Sequence, residues 1–136
     1  MTAVEYQIVG SEFMPPSSTK MPMRFWDRNK HMSWLKANLA ARRIHNDPSA
    51  LSHLRRHLDA WRDDPRNALS IRVWDDILAQ GPEAVVQRIT ALNDAGELAR
   101  DTMPPGIVLD ESEITACIAE RRRQEAKGLV VYGSDG

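Results

Sequence analysis

The chain has 136 residues, 42% of them hydrophobic and 27% charged, with a formal net charge of −1. That length buries one modest core rather than two, and the near-neutral balance excludes a whole-molecule field that would draw the protein to nucleic acid or to an acidic membrane surface. The charges are segregated along the chain, however: residues 1–72 hold 12 of the 18 Lys/Arg and 7 of the 19 Asp/Glu, and residues 73–136 hold the other 6 and 12. Either the two halves attract each other in the fold, or one of them faces a charged partner.

The N-terminal segment begins with AVEYQIV, Ala3 to Val9, which alternates partly and favours strand, and continues into the Pro- and Ser-rich SEFMPPSSTKMP. Residues 1–26 therefore read as an arm and linker. Phe13, Met14, Met21, Met23 and Phe25 are sticky for such a segment, and either cover one side of the core or form an arm that orders on a partner. The first helix is expected from Asp27, an N-cap, to about Ile44, with Met32, Leu35, Leu39 and Ala40 on its apolar face and Arg42-Arg43 suiting its C-terminal pole.

Asp47-Pro48 restarts the chain, because an N-cap carboxylate followed by a proline needs no donor at the first helical position. Leu51, Leu54, Leu58 and Trp61 then step by three, four and three residues, a clean helical stripe. Asp64-Pro65 repeats the device and opens a third helix, about Arg66 to Gln80, with Leu69, Val73, Ile77 and either Trp74 or Leu78 inward. Gly81-Pro82 closes it and launches a fourth, about Pro82 to Asn93; Asp94 to Thr102 adds a turn or two.

After Pro104-Pro105-Gly106, Asp110 caps a last helix with Glu113 at N3, a capping box with Asp in place of Ser or Thr. Its apolar face is narrow, Ile114, Cys117 and Ile118, and Arg121, Arg122, Arg123 and Glu125 read as a solvated end. The closing LVVY, Leu129 to Tyr132, either pairs with the N-terminal YQIV as a small ribbon or waits to add a strand to a partner. The expectation is an all-α domain, a compact bundle of about five helices with short strand-like N- and C-terminal arms: arm 1–26, helical domain 27–127, tail 128–136.

Chemical motifs are sparse. His53 and His57 have the spacing of a helical metal pair, but no H-E-x-x-H carboxylate accompanies them, and they read as boundary residues of the Leu51 stripe. His31 and His45 have no sequence partner. The pairs Asp63-Asp64, Asp75-Asp76 and Asp110-Glu111 are adjacent in sequence, so their side chains diverge rather than share a proton. Neither G-x-S-x-G nor a P-loop is present, and no catalytic residue, metal or cofactor is expected.

The lone Cys117 leaves no internal disulfide, the opening residues lack the pattern of a secretory signal, and no run reaches the roughly 18 apolar residues of a membrane span, so a cytoplasmic protein without a membrane partner is expected. Basic residues alternate with tryptophans through the first half, which suits phosphates and stacked bases. Arg42, Arg43, Arg55 and Arg56 are the nucleic-acid candidates, without a helix-turn-helix signature to support them. Trp61 and Trp74 fall on apolar stripes. Trp26 and Trp34 lie beside theirs and, with Leu129, Val130, Val131 and Tyr132, are the candidates for binding a protein partner.

Across Trp74, Ile77-Leu78, Gly81-Pro82, Val85, Gly96, Leu98, Arg100, Pro104, Gly106, Val108-Leu109 and Asp110-Glu111, with Arg43 to Leu51 and Trp61 upstream, the chain resembles small bacterial antitoxin-like helical proteins of toxin–antitoxin gene pairs. The resemblance covers about residues 35–118. Asp101-Thr102-Met103 stands where a polar-aromatic turn is usual in that group. It implies a non-enzymatic, helical antitoxin that neutralises a cognate toxin, often of nucleotidyltransferase type, by direct contact. A DNA-binding autorepressor using the basic half is the alternative.

Overall fold

The computed structural model of the protein describes residues 22–133. A short strand β1 (Met23–Phe25) leads into α1 (Arg28–Asn46); α2 (Leu51–Ala60), α3 (Ala68–Ala79), α4 (Pro82–Thr90), α5 (Asp94–Asp101) and α6 (Glu111–Ala126) follow, and β2 (Val130–Tyr132) closes the chain. The architecture is all-α with six helices among the described residues, one more than the sequence suggests. The extra one is α5, which runs straight through Gly96.

Capping residues set the boundaries. Asp27 accepts from the Lys30 N–H, Asp47 from Ser49, Asp64 from Arg66 and Asn93 from Gly96, each satisfying a donor that the helix itself leaves open. After Asp47 and Asp64 the chain first makes a tight three-residue turn, Pro48–Ala50 and Pro65–Asn67, before the α-helix proper begins. At α6 both arms of the capping box between Asp110 and Glu113 form.

Two buried clusters divide the interior. The larger joins Ala41 and Ile44 of α1 to Leu51, Leu54 and Leu58 of α2, Trp74, Ile77 and Leu78 of α3, Val85, Val86 and Ile89 of α4, and Ala99 of α5. Both Trp74 and Leu78 face inward; Leu69, expected on that face, is 44% exposed, and Ile71 packs in its place. Trp61 is half-buried against the same cluster. Glycines allow the closest approaches: a Cβ on Gly96 would stand 2.1 Å from the Ala91 carbonyl oxygen, and one on Gly106 would stand 2.9 Å from the α2 backbone at Leu54 N.

The smaller cluster gathers Met23 and Phe25 of β1, Trp34, Leu35 and Leu39 of α1, Cys117 of α6 and Val130 of β2. Here the strands differ from expectation. Val130–Tyr132 pairs in parallel with Met23–Phe25, in the register Met23 to Val130. Residues 6–9, the expected partner, lie outside the described residues, as do Phe13, Met14 and Met21. A parallel pair needs a long crossover, and here the crossover is the entire helical domain. Leu129 to Tyr132 are therefore built into the core edge, and the alternative of a strand waiting for a partner is corrected: Val130 is buried, and Leu129, Val131 and Tyr132 are half-buried.

The charge segregation closes on itself. Arg28 pairs with Glu125, Lys30 with Asp101 and Glu97, Arg43 with Glu113, and Arg62 with Asp75, so four cations of the first half each meet a carboxylate of the second. Among the described residues no helix is long and apolar enough to cross a membrane.

Candidate functional site

An open surface groove lies between α1 and the chain that links α5 to α6. From Met103 to Leu109 this linker cannot be helical, because Pro104-Pro105-Gly106 withholds donors and Gly106 takes a positive φ of 142°. It is nevertheless fixed on both sides. Gly106 presses against the α2 backbone, the Arg43 guanidinium donates to the Val108 carbonyl, and a second Arg43 nitrogen holds Glu113 at 2.9 Å. The result is a wall with Pro104 buried and Ile107 packed inward, while Val108 stands 77% exposed.

Between this wall and α1 runs an open groove of about 590 Å³. Ala37 and Ala40 form part of its lining, since small residues on that face of α1 let the groove approach the helix backbone. Met32, Met103, Pro104, Ile107, Leu109 and Ile114 supply the apolar surface, and Ile114 remains 37% exposed. The charged residues of the lining are Lys36 and Arg100, with no carboxylate among them. Arg100 is anchored by bonds from its Nη1 to the Ile89 and Ala91 carbonyls, and burial holds its pKa below the ordinary arginine value. Apolar walls, two adaptable methionines, one anchored cation and one exposed one make a surface that can bury a partner's apolar side chains and meet an anionic group.

A smaller cavity of about 260 Å³ shares Ser33 and Arg100 with the groove, reaches Trp26 and Leu92, and is lined in addition by the carboxylates Asp94, Glu97 and Asp101. Trp26, in the turn between β1 and α1, is 64% exposed, and Leu92 is 44% exposed. On the other side of the wall, Ile107 is shared with a depression that also includes Val108, His53 and His57.

Of the residues singled out in the sequence, only Trp26 stands as an open aromatic contact. Trp34 is corrected: it is 4% exposed, and its indole N–H donates to the Thr90 carbonyl at 2.9 Å. Position 34 lies between His31 and Leu35, and all three are buried, so the inward face of α1 is wider than the Met32, Leu35, Leu39 stripe suggests. Among the basic candidates, Arg43 is committed to Glu113 and Val108, and Arg55 reaches toward the Leu78 carbonyl at 3.5 Å. Arg56 is exposed and Arg42 half-buried. Among the described residues no group of three or more His, Cys, Asp or Glu is placed to hold a metal ion.

The polar end of α6 is also corrected. Glu120 is 1% and Gln124 0% exposed, and His31 of α1 is 0% exposed. The His31 ring lies between Gln124 Oε1 at 2.7 Å and the Tyr132 hydroxyl at 2.8 Å, and stacks on Phe25 with centroids 4.8 Å apart. Gln124 donates to Glu120 at 2.8 Å, Arg123 grips Glu120 through two nitrogens, and Tyr132 donates to Glu125 at 2.6 Å. Burial and the Glu125 contact push the Tyr132 hydroxyl up to about 12, while Tyr132 and Arg28 hold the Glu125 carboxyl below its usual range. The sequence does carry a signal for this network. Cys117, Glu120 and Gln124 continue one helical stripe at steps of three and four.

No family model matches the chain, and neither a curated protein nor a solved structure matches it.

Proposed function

We propose that the protein is a non-enzymatic binding module of the antitoxin kind, which neutralises a cognate toxin by laying its α1 face against it. The observation that carries this reading is the α1–linker groove of about 590 Å³, mostly apolar with Asn29, Ser33, Lys36 and Arg100 as its polar lining, and free of carboxylates. Its continuation toward Trp26 gives the surface an exposed aromatic anchor of the type that dominates interface energetics. The linker side of the groove, Arg100 to Ile114, lies within the stretch that resembles antitoxin-like proteins, and the pinned linker supports a preorganised contact surface.

The alternative, a DNA-binding autorepressor, draws on the same basic first half. Its support is weakened by the ion pairs that already occupy Arg28, Lys30, Arg43 and Arg62.

The test is co-expression with the products of adjacent genes. Relief of growth arrest by this protein, lost in a Trp26→Ala, Ile114→Arg double variant that still folds, is the expected outcome. Strongly salt-dependent binding to its own promoter fragment, with no rescue of any neighbouring gene product, favours the alternative.

A further inference from the structure

The fold divides the histidines into two kinds. His31 is buried with its ring nitrogens within hydrogen-bond distance of Gln124 and Tyr132, and the His45 ring lies 4.0 Å from Glu83. His53 and His57 are exposed on α2, and no described residue engages either ring in a hydrogen bond or an ion pair.

The helix itself places this second pair for chelation. α2 runs unbroken from Leu51 to Ala60, so residues 53 and 57 stand one turn apart on one face, with Cβ atoms about 6 Å from each other. Both line a depression of about 660 Å³ that is closed on one side by the linker from Pro105 to Val108. The backbone beneath them is held twice. Leu51, Leu54 and Leu58 are buried in the larger cluster, and Gly106 packs so closely that a Cβ there would stand 2.9 Å from the His53 carbonyl carbon. Nor do the neighbouring charges expel a cation. Arg43, the guanidinium in the lining, is taken up by Glu113 and the Val108 carbonyl, and the Asp47 carboxylate lines the same depression. Arg56 lies between the two histidines in sequence but is exposed, where water and salt screen it.

We propose that His53 and His57 together form a binding site for a divalent transition-metal ion, zinc, nickel or copper, held by one ring nitrogen from each side chain. Imidazole suits these ions, whereas magnesium and calcium take oxygen ligands. Histidines four residues apart on a helix are spaced so that two rings reach one ion. Two protein ligands leave the ion's other positions to water, so the site is open and exchangeable, unlike a structural zinc centre closed by four side chains. That agrees with the lack, among the described residues, of any group of three or more His, Cys, Asp or Glu placed around an ion. Copper, which stands above nickel and zinc in the affinity order of divalent ions, binds tightest. The site is separate from the α1–linker groove and does not depend on what the groove binds.

Titration of the tag-free full chain with zinc chloride tests this, followed by calorimetry and by nuclear magnetic resonance of the histidine rings. The expected result is one ion per chain, with the His53 and His57 rings shifting together and those of His31 and His45 unmoved. His53→Ala and His57→Ala should each weaken binding at least about tenfold, because the remaining ring loses a second ligand that the helix holds at high effective concentration. His45→Ala should leave binding unchanged. Both α2 substitutions fall at exposed positions, so the unfolding midpoint of the metal-free protein should barely move. Binding that survives the loss of either α2 ring, that follows His45 instead, or that magnesium chloride matches overturns the proposal, as does the absence of stoichiometric binding.

Discussion

The larger buried cluster, around Leu54, Trp74 and Ile89, is made of aliphatic and aromatic side chains alone, whereas the smaller one, around Leu35, Cys117 and Val130, adjoins a buried network of His31, Glu120, Gln124 and Tyr132. Both hold helices together, but by different physics. In the first, stability follows from apolar area removed from water and from packing without voids. In the second, each buried donor and acceptor must keep its partner, because leaving one unmatched costs more than the bond itself contributes. The first cluster should tolerate pH and respond to volume; the second should respond to pH and to the loss of single polar atoms.

The largest expected effect comes from the apolar side. Trp74 is 0% exposed and its indole N–H donates to the Ala99 carbonyl, so Trp74→Ala leaves a cavity and an unmatched acceptor, and chemical denaturation should show a loss of about 3–5 kcal/mol. Next is Gln124→Ala, which strands His31 Nε2 and removes one of the two donors on Glu120 Oε2, the other being Arg123; a loss of about 1–3 kcal/mol is expected, concentrated in the protection of β1 and β2 rather than of α2 and α3. A loss spread evenly over the molecule would erase the distinction between the clusters. Asn93→Ala removes the side-chain cap of α5 and should cost about 1 kcal/mol in thermal or chemical unfolding. The smallest effect is at Arg62, whose pairs with Asp59 and Asp75 are exposed: Arg62→Ala should leave the unfolding midpoint nearly unchanged in moderate salt.

The same contrast explains what could be read from the residue order. The larger cluster was legible because Leu51, Leu54 and Leu58 recur at helical spacing and because Asp-Pro and Gly-Pro pairs punctuate the helices. The smaller was legible only in part: Leu35, Leu39 and Cys117 fall at helical spacing and Glu120 and Gln124 extend the Cys117 stripe, but a stripe that turns polar resembles the solvated face of any charged helix until a histidine from α1 is brought against it. Trp34 and Val130 were misplaced for a related reason. Their burial depends on the pairing of strands more than a hundred residues apart, which no local pattern encodes. Asp94 to Thr102 reads as an added turn or two but forms α5, with Gly96 inside it, where the missing side chain admits the Ala91 carbonyl. The groove is a third case: Ile114 reads as part of the apolar face of the last helix but is 37% exposed, because it lines the groove rather than the core.

The α1–linker groove is proposed above as a surface for a protein partner. Calorimetric titration of the full chain, and of its Ile114→Arg variant, against the product of the adjacent gene tests it most directly. The predicted result is a stoichiometric complex whose affinity falls at least about tenfold in the variant, with unfolding of the free protein unaltered. Equal affinity for both forms would contradict it.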